Sequence, residues 1–155
     1  MRNRLWVVVV SAAGLLAVAP LAAADRAATK QRVTITAHNG IDSFVLTPTG
    51  SGPIARDSGA GSWCCWKQVF TSRRGQKVET NVPTLTLTGD RGVLVLKVRI
   101  EWVDAGNGYS VGTGAWTVVR GTGSYSNVRG GGEGAHLWIG QSPRSWRLEG
   151  YLTPR

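Results

Sequence analysis

Apolar and polar residues alternate along much of the chain beyond residue 30, with the period of two that a half-buried β-strand requires. The clearest case is residues 93–103. Its apolar side carries Leu94, Leu96, Val98, Ile100 and Trp102, and its polar side carries Lys97, Arg99 and Glu101. This pattern predicts a strand with one packed face and one charged face.

Short β-branched segments separated by Gly, Pro, Asn and Asp recur along the chain, and no segment carries the 3.6-residue apolar stripe of a helix. We predict about eight strands, at residues 32–38, 44–47, 62–72, 84–88, 93–103, 109–120, 133–139 and 145–152, with residues 77–81 as a segment able to pair back after the turn at 73–76. We predict a loop at 48–61 and turns at 73–76, 104–108 and 140–144. Strands at this spacing joined by hairpins are typical of an all-β sandwich or barrel.

The first 24 residues have the pattern of a secretory signal peptide. Arg2 and Arg4 precede an apolar run that ends at Pro20, and three alanines up to Ala24 provide the small residues of a cleavage site. The run falls short of the roughly 20 strongly apolar residues of a membrane span. We therefore expect secretion, no membrane span, and a single domain over residues 25–155.

The chain is basic, with 18 Lys and Arg against 9 Asp and Glu and a formal charge of +9. Such a charge suits an anionic cell wall, a membrane surface or a nucleic acid. However, the basic residues are scattered, mostly in turns, and no basic run is interleaved with aromatic residues. We therefore predict no nucleic-acid partner.

Residues 114–134 form the most specific stretch of the chain, GAWTVVRGTGSYSNVRGGGEG. A strand runs into Gly-Thr-Gly, and glycines then begin a new strand. Tyr125 and Val128 are three residues apart, so one helical turn directs both into the barrel mouth as a plug.

This stretch resembles the allene oxide cyclase and dirigent superfamily, in which W-x-V-x-x-G-T-G-x-[YF] leads into a G-x-G strand. The resemblance is closest to secreted bacterial proteins with a barrel of the allene oxide cyclase type. It implies an eight-stranded antiparallel β-barrel with a central cavity, often in a homo-oligomer. In the plant members that cavity steers a reactive small molecule. The matching motif is a structural corner, so no catalytic residue is transferred by it.

The candidate catalytic carboxylates are Glu101 and Glu133, and the candidate ligand-binding residues are Arg99, Glu101, Trp102, Trp116 and Tyr125. The charged side of residues 97–101 has two interpretations. It is a row of solvated charges on the outer wall, or it is the polar end of a pocket in which Arg99 keeps Glu101 ionised. Trp102 and Trp116 are core residues or platforms for a ligand, and the dominance of large aromatic residues in core energetics favours the core.

Other motifs are weaker. Glycine spacing near Gly121 lacks the βαβ unit of a dinucleotide site, so no cofactor is expected. His38 and His136 lie far apart without the spacing of metal ligands, so no metal site is expected. Gly-x-Trp occurs at Trp63 and Trp116, which leaves a lipocalin-like barrel as the alternative fold.

The two cysteines of the chain, Cys64 and Cys65, are adjacent and flanked by tryptophans. Neighbouring Cα atoms lie about 3.8 Å apart, whereas disulfides usually join Cα atoms about 4.4–6.8 Å apart. Three states remain open: buried thiols, a vicinal disulfide, or a bond to another molecule. A regular strand over residues 62–72 excludes the vicinal disulfide, and the disulfide requires a kink or bulge there.

These observations leave three functional hypotheses. The first is a non-catalytic module that binds a small apolar molecule in its barrel. The second is an isomerase of the cyclase or dirigent kind, which holds one conformer of its substrate in a dry cavity. The third is a structural or interaction protein of the cell surface with a filled barrel.

Overall fold

The structure is a computed structural model that describes residues 29–140 and 142–155. The predicted signal peptide, and with it the basis of the predicted secretion, lies outside the described residues.

Ten β-strands account for most of the described chain. They are β1 (Gln31–His38), β2 (Ser43–Pro48), β3 (Asp57–Cys64), β4 (Gln68–Arg73), β5 (Gln76–Asn81), β6 (Thr84–Gly89), β7 (Gly92–Gly106), β8 (Tyr109–Gly121), β9 (Val128–Ile139) and β10 (Ser142–Pro154). The helical elements of these residues are two short 3-10 turns, Asn39–Ile41 and Gly123–Tyr125. No described helix is long and apolar enough to cross a membrane.

Eight of the strands close into an antiparallel barrel. Their order is β7-β6-β3-β2-β1-β10-β9-β8, and β8 pairs with β7 to complete the circle. This confirms the prediction of an eight-stranded antiparallel β-barrel. The hairpin β4–β5 lies outside the circle and pairs with the far half of β7, where Glu79 is opposite Trp102.

The alternation of side chains follows the predicted faces. Lys97 and Arg99 point outward, while Leu96 and Val98 point into the barrel. The largest fully buried side chains are Trp116, Leu46, Leu85, Leu87, Leu94, Leu96, Ile100, Leu148 and Leu152. These apolar side chains occupy the barrel interior, and their burial is the main favourable contribution to folding.

Tyr125 closes one end of the barrel. Its side chain is 3% exposed, and its hydroxyl donates a hydrogen bond of 2.8 Å to Oδ2 of Asp57, which is itself 4% exposed. Burial, with the hydrogen bond to Asp57, raises the pKa of Tyr125. Val128 is partly buried and packs against the same core, but it is the first residue of β9 and not part of the helical turn that contains Tyr125.

One predicted loop is partly strand. β3 begins at Asp57 within residues 48–61, where its glycines hide the apolar alternation. β9 begins at Val128, before the predicted strand 133–139, and includes the glycines that we predict to begin a new strand. A Cβ on Gly132 would lie 1.9 Å from the carbonyl oxygen of Glu149, so this glycine allows β9 to approach β10. Glycine therefore marks close strand approach here as well as turns.

The predicted strand over residues 62–72 is broken. β3 ends at Cys64 and β4 begins at Gln68, because Cys65 adopts a positive φ of 61°. Across this break, the amide of Val82 donates a hydrogen bond of 2.9 Å to the carbonyl of Lys67. This bond joins the segment before β4 to the segment after β5. The hairpin β4–β5 is thereby directed beyond the barrel.

Candidate ligand pocket at the tryptophan-rich end

A cavity of about 420 Å³ opens at the end of the barrel opposite Tyr125. It is lined by Trp66, Gln68, Glu79, Asn81, Trp102, Ser110, Trp138 and Gly140. Its volume lies within the range of small-molecule sites in proteins, about 300–1,000 Å³.

The cavity exists because the wall of the barrel is taller on one side. β7 has 15 residues and β8 has 13, and the β4–β5 hairpin pairs with the part of β7 that β6 does not reach. Inward-facing residues of this extension lie beyond the packed core. Gly112, opposite Trp102, leaves room for its indole, since a Cβ there would lie 2.9 Å from the ring.

Indole rings form the apolar walls. The rings of Trp102 and Trp138 are 6.0 Å apart between centroids and nearly perpendicular, at 88°. Trp66, which is 50% exposed, lies on the hairpin side of the opening. The centroid of its ring is 5.6 Å from that of the Trp63 ring. Trp63 in turn packs on Trp146 at 4.3 Å, so the walls rest on a second layer of indoles.

A carboxylate lies on the polar wall. Oε1 of Glu79 accepts hydrogen bonds from Nε2 of Gln68, 2.5 Å, and from Nδ2 of Asn81, 2.7 Å. The three residues share one face of the hairpin, because Gln68 is paired with Asn81 and Glu79 is two residues before Asn81. The four ion pairs of the described residues do not include Glu79. Two amides therefore hold one oxygen of a carboxylate that forms no ion pair with any described residue.

His136 lies beneath the indoles, and none of the described residues provides it with a polar partner. Its ring is 3.6 Å from that of Trp146 and 5.9 Å from that of Trp102. It is 2% exposed, and both of its ring nitrogens, like Nε1 of Trp146, are buried without a hydrogen bond among the described residues. Burial lowers the pKa of His136 to about 3, so the ring is neutral at pH 7.

Cys64 and Cys65 form a vicinal disulfide at the rim. Of the three states that the sequence left open, this is the one present, and the kink that it requires is the positive φ of Cys65. Both cysteines are exposed, so the alternative of two buried thiols is not the state present. The disulfide sits between Trp63, which packs against the core, and Trp66, which lines the cavity.

One of the predicted ligand-binding residues, Trp102, lines the cavity. Arg99 and Glu101 lie on the outer wall as a solvated charge row, where Glu101 accepts hydrogen bonds from Arg99 (2.6 Å) and Arg73 (3.1 Å). The hydrogen bond from Arg99, with the charge of Arg73, lowers the pKa of Glu101. Glu133 is also exposed on the outside. The structure therefore places both candidate catalytic carboxylates away from the cavity.

Trp116 and Tyr125 are also distant from this cavity. Nε1 of Trp116 donates to the carbonyls of Glu133 and Glu149, both at 3.2 Å, in the middle of the core. Tyr125 belongs to the plug at the opposite end. Both side chains have complete structural roles where they lie.

Comparisons with known proteins add no relative: the chain matches no family model, no curated protein and no solved structure. The resemblance to allene oxide cyclases stays a prediction. Within the described ranges, no group of three or more His, Cys, Asp or Glu could hold a metal ion.

Proposed function

We propose that this protein is a secreted binding module that holds a small molecule in the cavity between Trp66, Trp102 and Trp138, without a catalytic step. The observation that carries the proposal is the convergence of three indoles and one hydrogen-bonded carboxylate on a single cavity. Apolar walls with a few placed polar groups are the usual composition of a small-molecule site.

The position of the cavity refines the ligand that the sequence suggests. Side chains such as Trp116, Leu96 and Ile100 fill the middle of the barrel, so the ligand sits at the mouth. There it meets indole faces and, on one side, the polar row of Gln68 and Glu79. We therefore propose a ligand with an apolar body and one polar group rather than a purely apolar one.

The vicinal disulfide supports the secreted part of the proposal. Disulfides persist in oxidising compartments and are rare in the reducing cytosol. The pair Cys64–Cys65 is exposed, where a cytosolic reductant would reach it. A molecular mass that matches a chain beginning at Asp25 would support cleavage of the signal peptide. A mass that includes the first 24 residues would contradict it.

Native mass spectrometry of protein purified from its source tests binding directly. We expect a retained small molecule that is lost in Trp102→Leu, because this substitution removes one wall of the cavity. Tyr109→Leu is the matched control, since Tyr109 is an exposed aromatic residue of the neighbouring strand and does not line the cavity. Repeated observation of the empty mass, or equal loss in both variants, would contradict the proposal.

A second candidate function is an isomerase of the cyclase kind, and Glu79 is the observation that favours it. This carboxylate faces an indole-lined cavity, as a general base or electrostatic stabiliser would. If the protein is an enzyme, Glu79→Gln should abolish turnover of the retained molecule even at concentrations that saturate the cavity. Turnover that survives in Glu79→Gln would count against this candidate.

A further inference from the structure

We infer that the polar group of the ligand is an organic cation of the alkylammonium class, seated between Trp102 and Trp138 and facing Glu79. This inference rests on the proposed function, because it assigns a chemical class to the ligand of the same cavity. Three observations carry it: the angle between the indoles, the sign of the charge on the walls, and the hydrogen bonds already made by the neighbouring amides.

The indoles form a corner rather than a platform. Trp102 and Trp138 meet at 88°, so the two rings form two walls of one corner, and Trp66 bounds the opening from the hairpin side. A cation is attracted by the electron-rich face of an aromatic ring, most strongly by that of tryptophan. Rings at right angles around a small space are the arrangement that surrounds an alkylated ammonium group.

The charge on the cavity wall is negative. Eight of the described residues line the cavity, and Glu79 is the one ionisable residue among those eight. Asp104 follows Trp102 by two residues in β7 and shares its face, which places a second carboxylate further out on the same side. The nearest basic residue on the Glu79 face of the hairpin is Lys77, whose Nζ lies 4.3 Å from the centroid of Phe70. The ammonium of Lys77 thus contacts an aromatic ring and makes no ion pair with Glu79.

The amides beside Glu79 fix the position of its carboxylate. Gln68 and Asn81 each donate one N–H to Oε1 of Glu79, and a primary amide has two N–H groups, so each keeps one. A ligand rich in hydroxyl groups, such as a sugar, would need several such donors and a flat aromatic surface. An alkylammonium needs neither, because ring faces and one carboxylate suffice.

The experiment compares choline with 3,3-dimethyl-1-butanol, which has the same shape and no charge, by calorimetric titration of the full secreted chain. We expect choline to bind at least about tenfold more tightly, since the pair with Glu79 forms in a partly desolvated site. Glu79→Gln should reduce this difference, leaving the part that the indole faces supply, and should leave the affinity for the neutral alcohol unchanged. Glu133→Gln, which removes an exposed carboxylate of the outer wall, should keep it.

Two further measurements keep the outcomes distinct. Wild-type affinity for choline should fall with added salt, whereas that for the alcohol should not. The urea midpoint of Glu79→Gln should match the wild type, which shows that lost binding is not lost folding.

Equal affinities for choline and the alcohol would overturn the inference of a cation and leave the proposed binding function standing. Binding of glucose or cellobiose in the absence of choline binding would overturn it in favour of a sugar. If the cavity binds none of these probes, the inference of a cationic ligand is also overturned. In that case, the retained mass in the native spectrum decides separately whether the protein binds a small molecule at all.

Discussion

Acidification from pH 7.5 to 5.0 should destabilise the protein through His136. The ring is buried among indoles and has no hydrogen-bond partner among the described residues, so the folded state holds it neutral. The unfolded chain exposes the same ring, with its ordinary pKa of 6.5, while burial lowers the pKa of the folded form to about 3. Below pH 6.5 the unfolded state therefore binds a proton that the folded state does not.

The sign and size of the effect follow from this difference. Stability is complete above pH 6.5 and is lost as the pH falls toward the folded pKa of about 3. Each unit of pH costs about 1.4 kcal/mol, so the fall from 6.5 to 5.0 costs about 2 kcal/mol. With a urea m-value of about 1–3 kcal/mol/M, the urea midpoint should fall by about 1 M.

The assay is urea denaturation at pH 7.5, 6.0 and 5.0, a window in which histidines are the side chains with the relevant ordinary pKa. His136→Leu should show a midpoint that is nearly constant across the window. His38→Gln is the matched control, because His38 is the other histidine of the chain and is exposed. This variant should keep the acid-dependent fall.

A wild-type midpoint that stays constant, or a fall of equal size in His136→Leu, would refute the reasoning. If His136→Leu does not fold, NMR titration of the wild-type histidines provides the same test. The ring resonances of His136 should then not shift between pH 7.5 and 5.0.

Three further predictions follow from the plug and the rim. Tyr125→Phe should lower the free energy of unfolding by about 1.5–3 kcal/mol, because it removes the buried donor to Asp57. The exposed Tyr151→Phe should stay within about 0.5 kcal/mol in the same urea titration. Since the pKa of Tyr125 is raised, stability should be retained below the ordinary value of 10.0 and lost as the pH rises above it, and Tyr125→Phe should weaken that loss. Iodoacetamide should add no mass before reduction and two carbamidomethyl groups after it, because Cys64 and Cys65 are bonded to each other; two additions without reduction would contradict this.

The barrel could be predicted from the sequence because its signals are local. Alternation in residues 93–103 identifies which side of the strand is buried, and Leu96 and Arg99 lie on the sides that it indicates. The Gly-Thr-Gly stretch places Tyr125 in a short turn, and the residue is buried there. Periodicity and glycine spacing can be interpreted without knowing which distant strand pairs with the segment.

The site depends on information that is not local. Glu79 faces the indoles because β5 pairs with the far half of β7, where Glu79 is opposite Trp102. The break at Cys65 sets the direction of that hairpin. The prediction of one continuous strand over residues 62–72 does not include this break. The sequence contains one signal of the site, a concentration of tryptophans near strand ends. Trp102 and Trp138 are inward-facing residues near the ends of their strands, and Trp63 and Trp66 lie near the end of a third strand.

Indole NMR resonances test the central claim, that the ligand occupies the mouth of the barrel, most directly. The Nε1–H signals of the tryptophans, assigned by single Trp→Phe variants, would be followed during titration with the retained molecule or with choline. We expect the signals of Trp66, Trp102 and Trp138 to shift with one saturation curve and that of Trp116 to stay unchanged. A shift confined to Trp116, or none at the three residues of the mouth, would contradict the account.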